Sequence, residues 1–136
     1  MKFKSLAFAA TALSLFAAPV LAHHSFAMFD ATKLLAKAGT VKEFEWANPH
    51  VWIHIMAPDA SGTPREWSFE MQATNAAASG GWTSTIVKPG DKVTVEYHPL
   101  KDGSRGGELV AATLPDGKRL GSSATRPAPA KPTPAS

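Results

Sequence analysis

The 136 residues contain no cysteine. That absence excludes a disulfide scaffold, a thiolate zinc site, a Cys nucleophile and a lipid-modified N-terminal Cys. A concentrated basic stripe is missing too. The formal net charge is +3, but Lys2, Lys4, Arg126 and Lys131 at the two ends supply four of the 14 Lys and Arg. Residues 23–120 keep ten basic against 11 acidic side chains, a net of −1. Neutralising phosphates requires clustered Lys and Arg, so no nucleic-acid partner is expected. There is no Gly-x-Ser-x-Gly elbow and no phosphate-binding Gly loop, so Ser25, Asp30 and the histidines do not read as a hydrolytic triad. After the first 22 residues no long apolar run follows. A bilayer span needs roughly 20 apolar residues, so no membrane span is expected in the mature chain.

Residues 1–22 have the organisation of a secretory signal peptide. Lys2 and Lys4 form a positive start, Leu6 to Phe16 an apolar stretch, and Val20-Leu21-Ala22 a small-residue cleavage site. Cleavage after Ala18 would place Phe16 three residues back and Pro19 just beyond the cut, which is a poor site. The expectation is a periplasmic or secreted protein that begins at His23. At the other end, Gly121 to Ser136 carries Pro127, Pro129, Pro132 and Pro134 and no large apolar residue. Such a tract cannot offset the entropy of ordering and is expected to be a disordered tail. One domain remains, residues 23–120.

Within that domain the apolar period is mostly two. Gly39 to Trp46 is a first predicted strand, ended by Asn48-Pro49. In the next, His50 to Ala57, Val51, Ile53 and Ile55 alternate with His50, Trp52, His54 and Met56. Asp59-Ala60-Ser61-Gly62 turns the chain into Arg65 to Met71, where Trp67, Phe69 and Met71 alternate with Glu66, Ser68 and Glu70. Gln72 to Ser79 is Ala-rich, with Thr74 or Asn75 as the N-cap and Gly80-Gly81 as the stop, and predicts one short helix. Lys92 to Tyr97 and Glu108 to Leu114 complete the strands. Three strands, a helix and two strands is the order of an OB-fold, a five-stranded partly open barrel; a small β-sandwich is the alternative.

Five histidines are the unusual chemical resource. Cleavage after Ala22 would give His23 a free α-amine of pKa near 7.7–8.0, close enough to neutrality to donate a lone pair. The amine and imidazole of one terminal His can chelate a single metal, and a third imidazole would complete a three-nitrogen site. That donor set suits Cu(II). The candidate metal ligands are His23, His24 and His50, the last held at a strand end by the preceding Pro-fixed turn. His54 shares a face with His50 but lies four residues along the strand, roughly 13 Å away, too far to bind the same ion. His54 and His98 read as solvated or hydrogen-bonded surface groups. Glu43, Glu45, Glu66 and Glu70 read as a solvated strand face. Trp46, Trp52, Trp67 and Trp82 are numerous for so small a domain; core packing explains them, and a ligand-binding aromatic face is the alternative.

The chain resembles an uncharacterised family of small exported bacterial proteins. The resemblance runs through Ala22-His23-His24-Ser25-Phe26, Phe29-Asp30 and Glu45-Trp46-Ala47-Asn48-Pro49-His50-Val51-Trp52. It continues through Trp67 with Phe69-Glu70, Asn75 before Gly81-Trp82-Thr83, Lys88-Pro89-Gly90-Asp91 and Leu114-Pro115-Asp116-Gly117. It implies a periplasmic, β-rich domain of unknown function. Ala76 to Ala78 and Gly80-Gly81 stand where the resemblance implies a bulkier, leucine-like helix face, which leaves the packing of the helix, not the site, in question. Two functional readings follow. One is a non-enzymatic periplasmic protein that binds a metal, copper by ligand type, through the mature N-terminal histidine. The other is a metal-free barrel that binds a small apolar ligand or a partner protein on a Trp-rich face. A copper oxidase built on the same terminal site lacks the room for an extended substrate surface.

Overall fold

The computed structural model describes residues 26–123. The expected leader, His23, His24 and residues 124–136 lie outside the described residues. After a single 3-10 turn, Phe26–Met28, the chain forms β1 (Leu35–Glu45), β2 (Trp52–Pro58) and β3 (Pro64–Glu70). The helix α1 (Thr74–Ser79) leads to β4 (Lys92–Pro99), β5 (Gly106–Thr113) and a short β6 (Arg119–Gly121). β1 pairs antiparallel with β2 and β4, β2 with β3, and β4 with β5. A parallel pairing of β3 with β5 closes the ring. The strand circuit 1-2-3-5-4 with a helix between β3 and β4 is the expected OB-like barrel, and the closure disposes of the sandwich.

Alternation sorts the side chains as the sequence predicts. Val51, Ile53, Ile55, Phe69, Met71, Val93, Val95 and Tyr97 point into the barrel, and all are buried. Phe69 and Tyr97 meet there with ring centroids 4.8 Å apart. β5 departs from simple alternation. Its register against β4 skips from Ala111 to Leu109, leaving Val110 as the extra residue of a bulge. The skip lets both Leu109 and Ala112 face the core.

Several boundaries differ from expectation. β1 begins at Leu35, four residues before Gly39, because Leu35 to Gly39 pair with Tyr97 to Val93. β6 was not expected; its three residues form only against β5. The ordered domain also continues past residue 120, since Gly121 belongs to β6 and Ser122 and Ser123 are buried. Neither Thr74 nor Asn75 is the N-cap of α1; that position is Ala73, which makes no side-chain cap bond. The small residues of the helix do not leave it loose. Ala77 is wholly buried, and a Cβ on Gly80 would lie 2.8 Å from Ser123 Cα, so the chain after β6 crosses too close for anything larger.

The tightest constraint lies at the closure. A Cβ on Gly106 would sit 2.0 Å from Ser68 O in β3, and one on the neighbouring Gly107 2.0 Å from His98 O in β4. Gly106 also has φ 143°, a backbone conformation that favours glycine. Gly106→Ala should therefore destabilise the domain by about 3 kcal/mol or more, at or beyond the upper end of ordinary overpacking. Gly62→Ala, in open space with φ 82°, should cost only about 1–2 kcal/mol of left-handed strain. Urea unfolding of the two variants checks this; equal midpoints would show that β3 and β5 are not pressed together.

Candidate functional site

The segment Asn48-Pro49-His50 is held from both sides. Asn48 Oδ1 accepts bonds from the Thr74 N–H and hydroxyl, each at 3.0 Å. The side chain of a distant turn thus supplies the cap that Ala73 lacks at the start of α1. Beyond His50, the Val51 N–H donates to Gln72 O at 3.1 Å and the Met71 N–H to Val51 O at 2.8 Å. His50 therefore sits between two fixed points, just ahead of β2.

The ring of His50 has a defined orientation. Its Nδ1 lies 3.0 Å from Met71 O. A carbonyl only accepts, so Nδ1 carries the proton and the lone pair of the neutral ring belongs to Nε2. Glu70 Oε1 lies 2.8 Å from the same Nδ1. That contact is a close pairing without hydrogen-bond alignment, and Oε1 is buried with no hydrogen-bond partner among the described residues.

His50, Glu70 and Glu108 share a small cavity of about 10 Å³ with Phe26, Phe29 and Ser122. Glu70 and Glu108 are register partners across the parallel β3–β5 pairing, so both side chains leave the outer face of the barrel together. They are nevertheless only 5% and 6% exposed. The chain before β1 lies against this face: Phe29 bridges to Leu100 and is itself buried. The expectation of a solvated Glu70 is thus corrected, and Glu108 is a site residue that the sequence reading missed. Alternation places both carboxylates outward, but it does not reveal that the outward face is covered.

The other two described histidines, His54 and His98, are hydrogen-bonded surface groups. His54 Nε2 donates to Glu45 Oε1 at 3.1 Å, and its Nδ1 lies 2.8 Å from Ser68 Oγ. Trp52 stacks beside this ring at 6.1 Å. Glu66 belongs to the same face, its carboxyl held below the usual range chiefly by a hydrogen bond from Lys42. His98 Nδ1 donates to Lys33 O at 2.7 Å. No group of three or more His, Asp or Glu among the described residues is arranged to hold a metal ion.

The four indoles do not form one face. Trp82 is in the core, with its N–H on Gly121 O at 2.8 Å. Trp67 packs against the core edge with its N–H on Ala57 O, under the Lys37 ammonium. Trp46 lies against Phe44, and Trp52 faces outward beside His54. They are spread among the barrel interior, its edge and its outer face. Among the described residues no helix is long and apolar enough to cross a membrane.

A family model described as a family of unknown function, DUF6152, matches residues 11–109. That is well over half of the chain, and the chain belongs to this family. No curated protein and no solved structure matches.

The double acceptance by Asn48 has a measurable consequence. Asn48→Ala should remove a helix cap worth about 1 kcal/mol, with Thr74→Val recovering less than an additive loss when combined. Chemical denaturation of the two single variants and the double variant checks this. Additive losses would show that the Asn48–Thr74 contact carries no stability.

Proposed function

We propose that this member of the family is a periplasmic metal-binding protein, that its metal is copper, and that the processed His23 supplies the first donors. The α-amine and imidazole of His23 form the chelate, with His24 the alternative imidazole in the same segment. His50 adds the third nitrogen through Nε2. The bonded Nδ1 of His50 carries this reading. With that nitrogen committed to Met71 O, the ring is held as an Nε2 donor at a fixed strand end.

Covalent reach supports it. Phe26 lines the same cavity as His50 and follows His23 by three residues, which span at most about 11 Å. The terminal donors can therefore arrive beside His50 without any rearrangement of the barrel. Amine and imidazole nitrogens favour copper among the divalent first-row ions. The carboxylates of Glu70 and Glu108 add negative charge that favours a cation in this place. The reading concerns binding and assigns no turnover.

Cu(II) titration of three proteins tests it: the processed chain, a chain extended ahead of His23, and His50→Ala. Extension blocks the α-amine and should weaken binding at least tenfold. His50→Ala should also weaken it, whereas His98→Ala should not. Affinity should fall as pH drops through the imidazole and amine range, because each donor must lose its proton to bind. Equal affinity of the extended and processed chains would overturn the reading.

A further inference from the structure

We infer that the cavity shared by Phe26, Glu70, Glu108 and Ser122 takes the protonated head of a primary amine. The inference goes beyond the copper reading and does not rest on it, since every group it uses lies within the described residues. Two buried oxygens point to an occupant. Glu70 and Ser122 both line the cavity, at 5% and 1% exposure. Glu70 Oε1 and Ser122 Oγ have no hydrogen-bond partner among the described residues. The Nδ1–H of His50 does not serve Glu70, because it is committed to Met71 O. A buried oxygen in that condition carries a desolvation penalty until a donor reaches it.

Size, charge and rim select the occupant. The cavity measures about 10 Å³, room for one water-sized group. Glu70 and Glu108 are register partners, both buried, and among the described residues no Lys or Arg side chain lines the cavity. Buried carboxylates call for an opposite charge, and burial leaves theirs poorly screened. A water would satisfy the two oxygens but bring no charge. A hard metal cation takes six or more oxygen ligands, and no group of His, Asp and Glu among the described residues is arranged to hold one. An ammonium head is water-sized, positive and rich in N–H donors. The lining offers it acceptors in Glu70 Oε1, Ser122 Oγ and the Glu108 carboxylate. The rim is apolar: Phe26 is 58% exposed, and Phe29, Met71 and Leu109 are buried around the same cavity. Aromatic faces attract cations, and an apolar rim suits a carbon chain better than a free ammonium ion. The ligand class is therefore a primary alkylamine, either a free molecule or a lysine side chain.

The test is an amine titration of the processed protein with EDTA present throughout, read by the backbone amide shifts of Leu109 and Ser122. n-Butylamine should give saturable shifts at both. Methylamine should bind roughly threefold or more weakly, since it has less carbon to place against the rim. Tetramethylammonium has the charge but no N–H and too much bulk, so it should give no saturable shift. Glu70→Gln keeps the shape and removes the charge, and should weaken n-butylamine by at least about tenfold, as loss of a bond to a charged group does. Ser122→Ala should weaken it by roughly fivefold. Phe26→Ala should remove the advantage of n-butylamine over methylamine. Glu43→Gln, in a separate surface groove, should change nothing. Nα-acetyl-lysine methylamide in the same titration identifies the source: tighter binding than n-butylamine supports a partner's lysine, and weaker binding supports a free amine.

No saturable shift with n-butylamine, an equal response to tetramethylammonium, or undiminished affinity in Glu70→Gln would each overturn the inference. The contrast between the two cations is read on the wild type alone, so a variant that fails to fold does not blunt the test. Failure here leaves the copper reading standing, and failure of the copper reading leaves this one, because EDTA removes the metal from the amine titration.

Discussion

The structure turns on the place where the barrel closes. A short five-stranded sheet can hide its edges only if its N-terminal meander, β1 to β3, meets the hairpin of β4 and β5. Here the meeting is a parallel contact of three residue pairs, Ser68 to Glu70 against Gly106 to Glu108. Gly106 permits it, since a side chain there would overlap Ser68 O of the facing strand, while Gly107 allows β4 to press equally close through His98 O. The closure does more than seal the core. It sets Glu70 and Glu108 next to each other on the outer face, directly below the strand end that carries His50. The charged corner of the protein is thus a product of the same register that completes the barrel.

A second layer of constraint comes from the loops around that corner. Asn48 is tied to the start of α1, and the backbone on either side of Glu70 and His50 is cross-linked through Val51, Met71 and Gln72. The helix is only six residues long and has no cap of its own. Its start depends on the Asn48 side chain, and its end presses on Ser123 through Gly80. Two small residues are required there: Gly80 by the close crossing of Ser123, and Ala77 by its complete burial. Rigid placement of His50 follows from these contacts rather than from any property of histidine.

Much of the fold was legible in the sequence because strand alternation is a local signal. Val51, Ile53 and Ile55, or Val93, Val95 and Tyr97, announce their face by spacing alone, and each set is buried as read. The helix between the third and fourth strands pointed to the barrel over the sandwich. What escaped detection was non-local. β6 is three residues that form only against β5, and the bulge at Val110 breaks the period where β5 crosses from one partner to another. Of the candidate site, His50 was legible from its position after Asn48-Pro49. The burial of Glu70 and Glu108 was not, because it depends on the turn at Phe26 to Met28 and on Phe29 covering an outward face. His23 and His24 lie outside the described residues, and the four indoles, legible as numerous, proved to be scattered.

The proposed copper site would join two pieces: a rigid corner with an oriented imidazole beside buried carboxylates, and a processed terminus that would supply an amine and a second imidazole. The claim that they meet on one ion is best tested by pulsed electron paramagnetic resonance of the processed protein loaded with one Cu(II). Coordination by both pieces predicts modulation from the remote nitrogens of two imidazoles in the wild type and of one in His50→Ala. Identical modulation in the two proteins would contradict it, because the copper would then be held by the terminal segment alone.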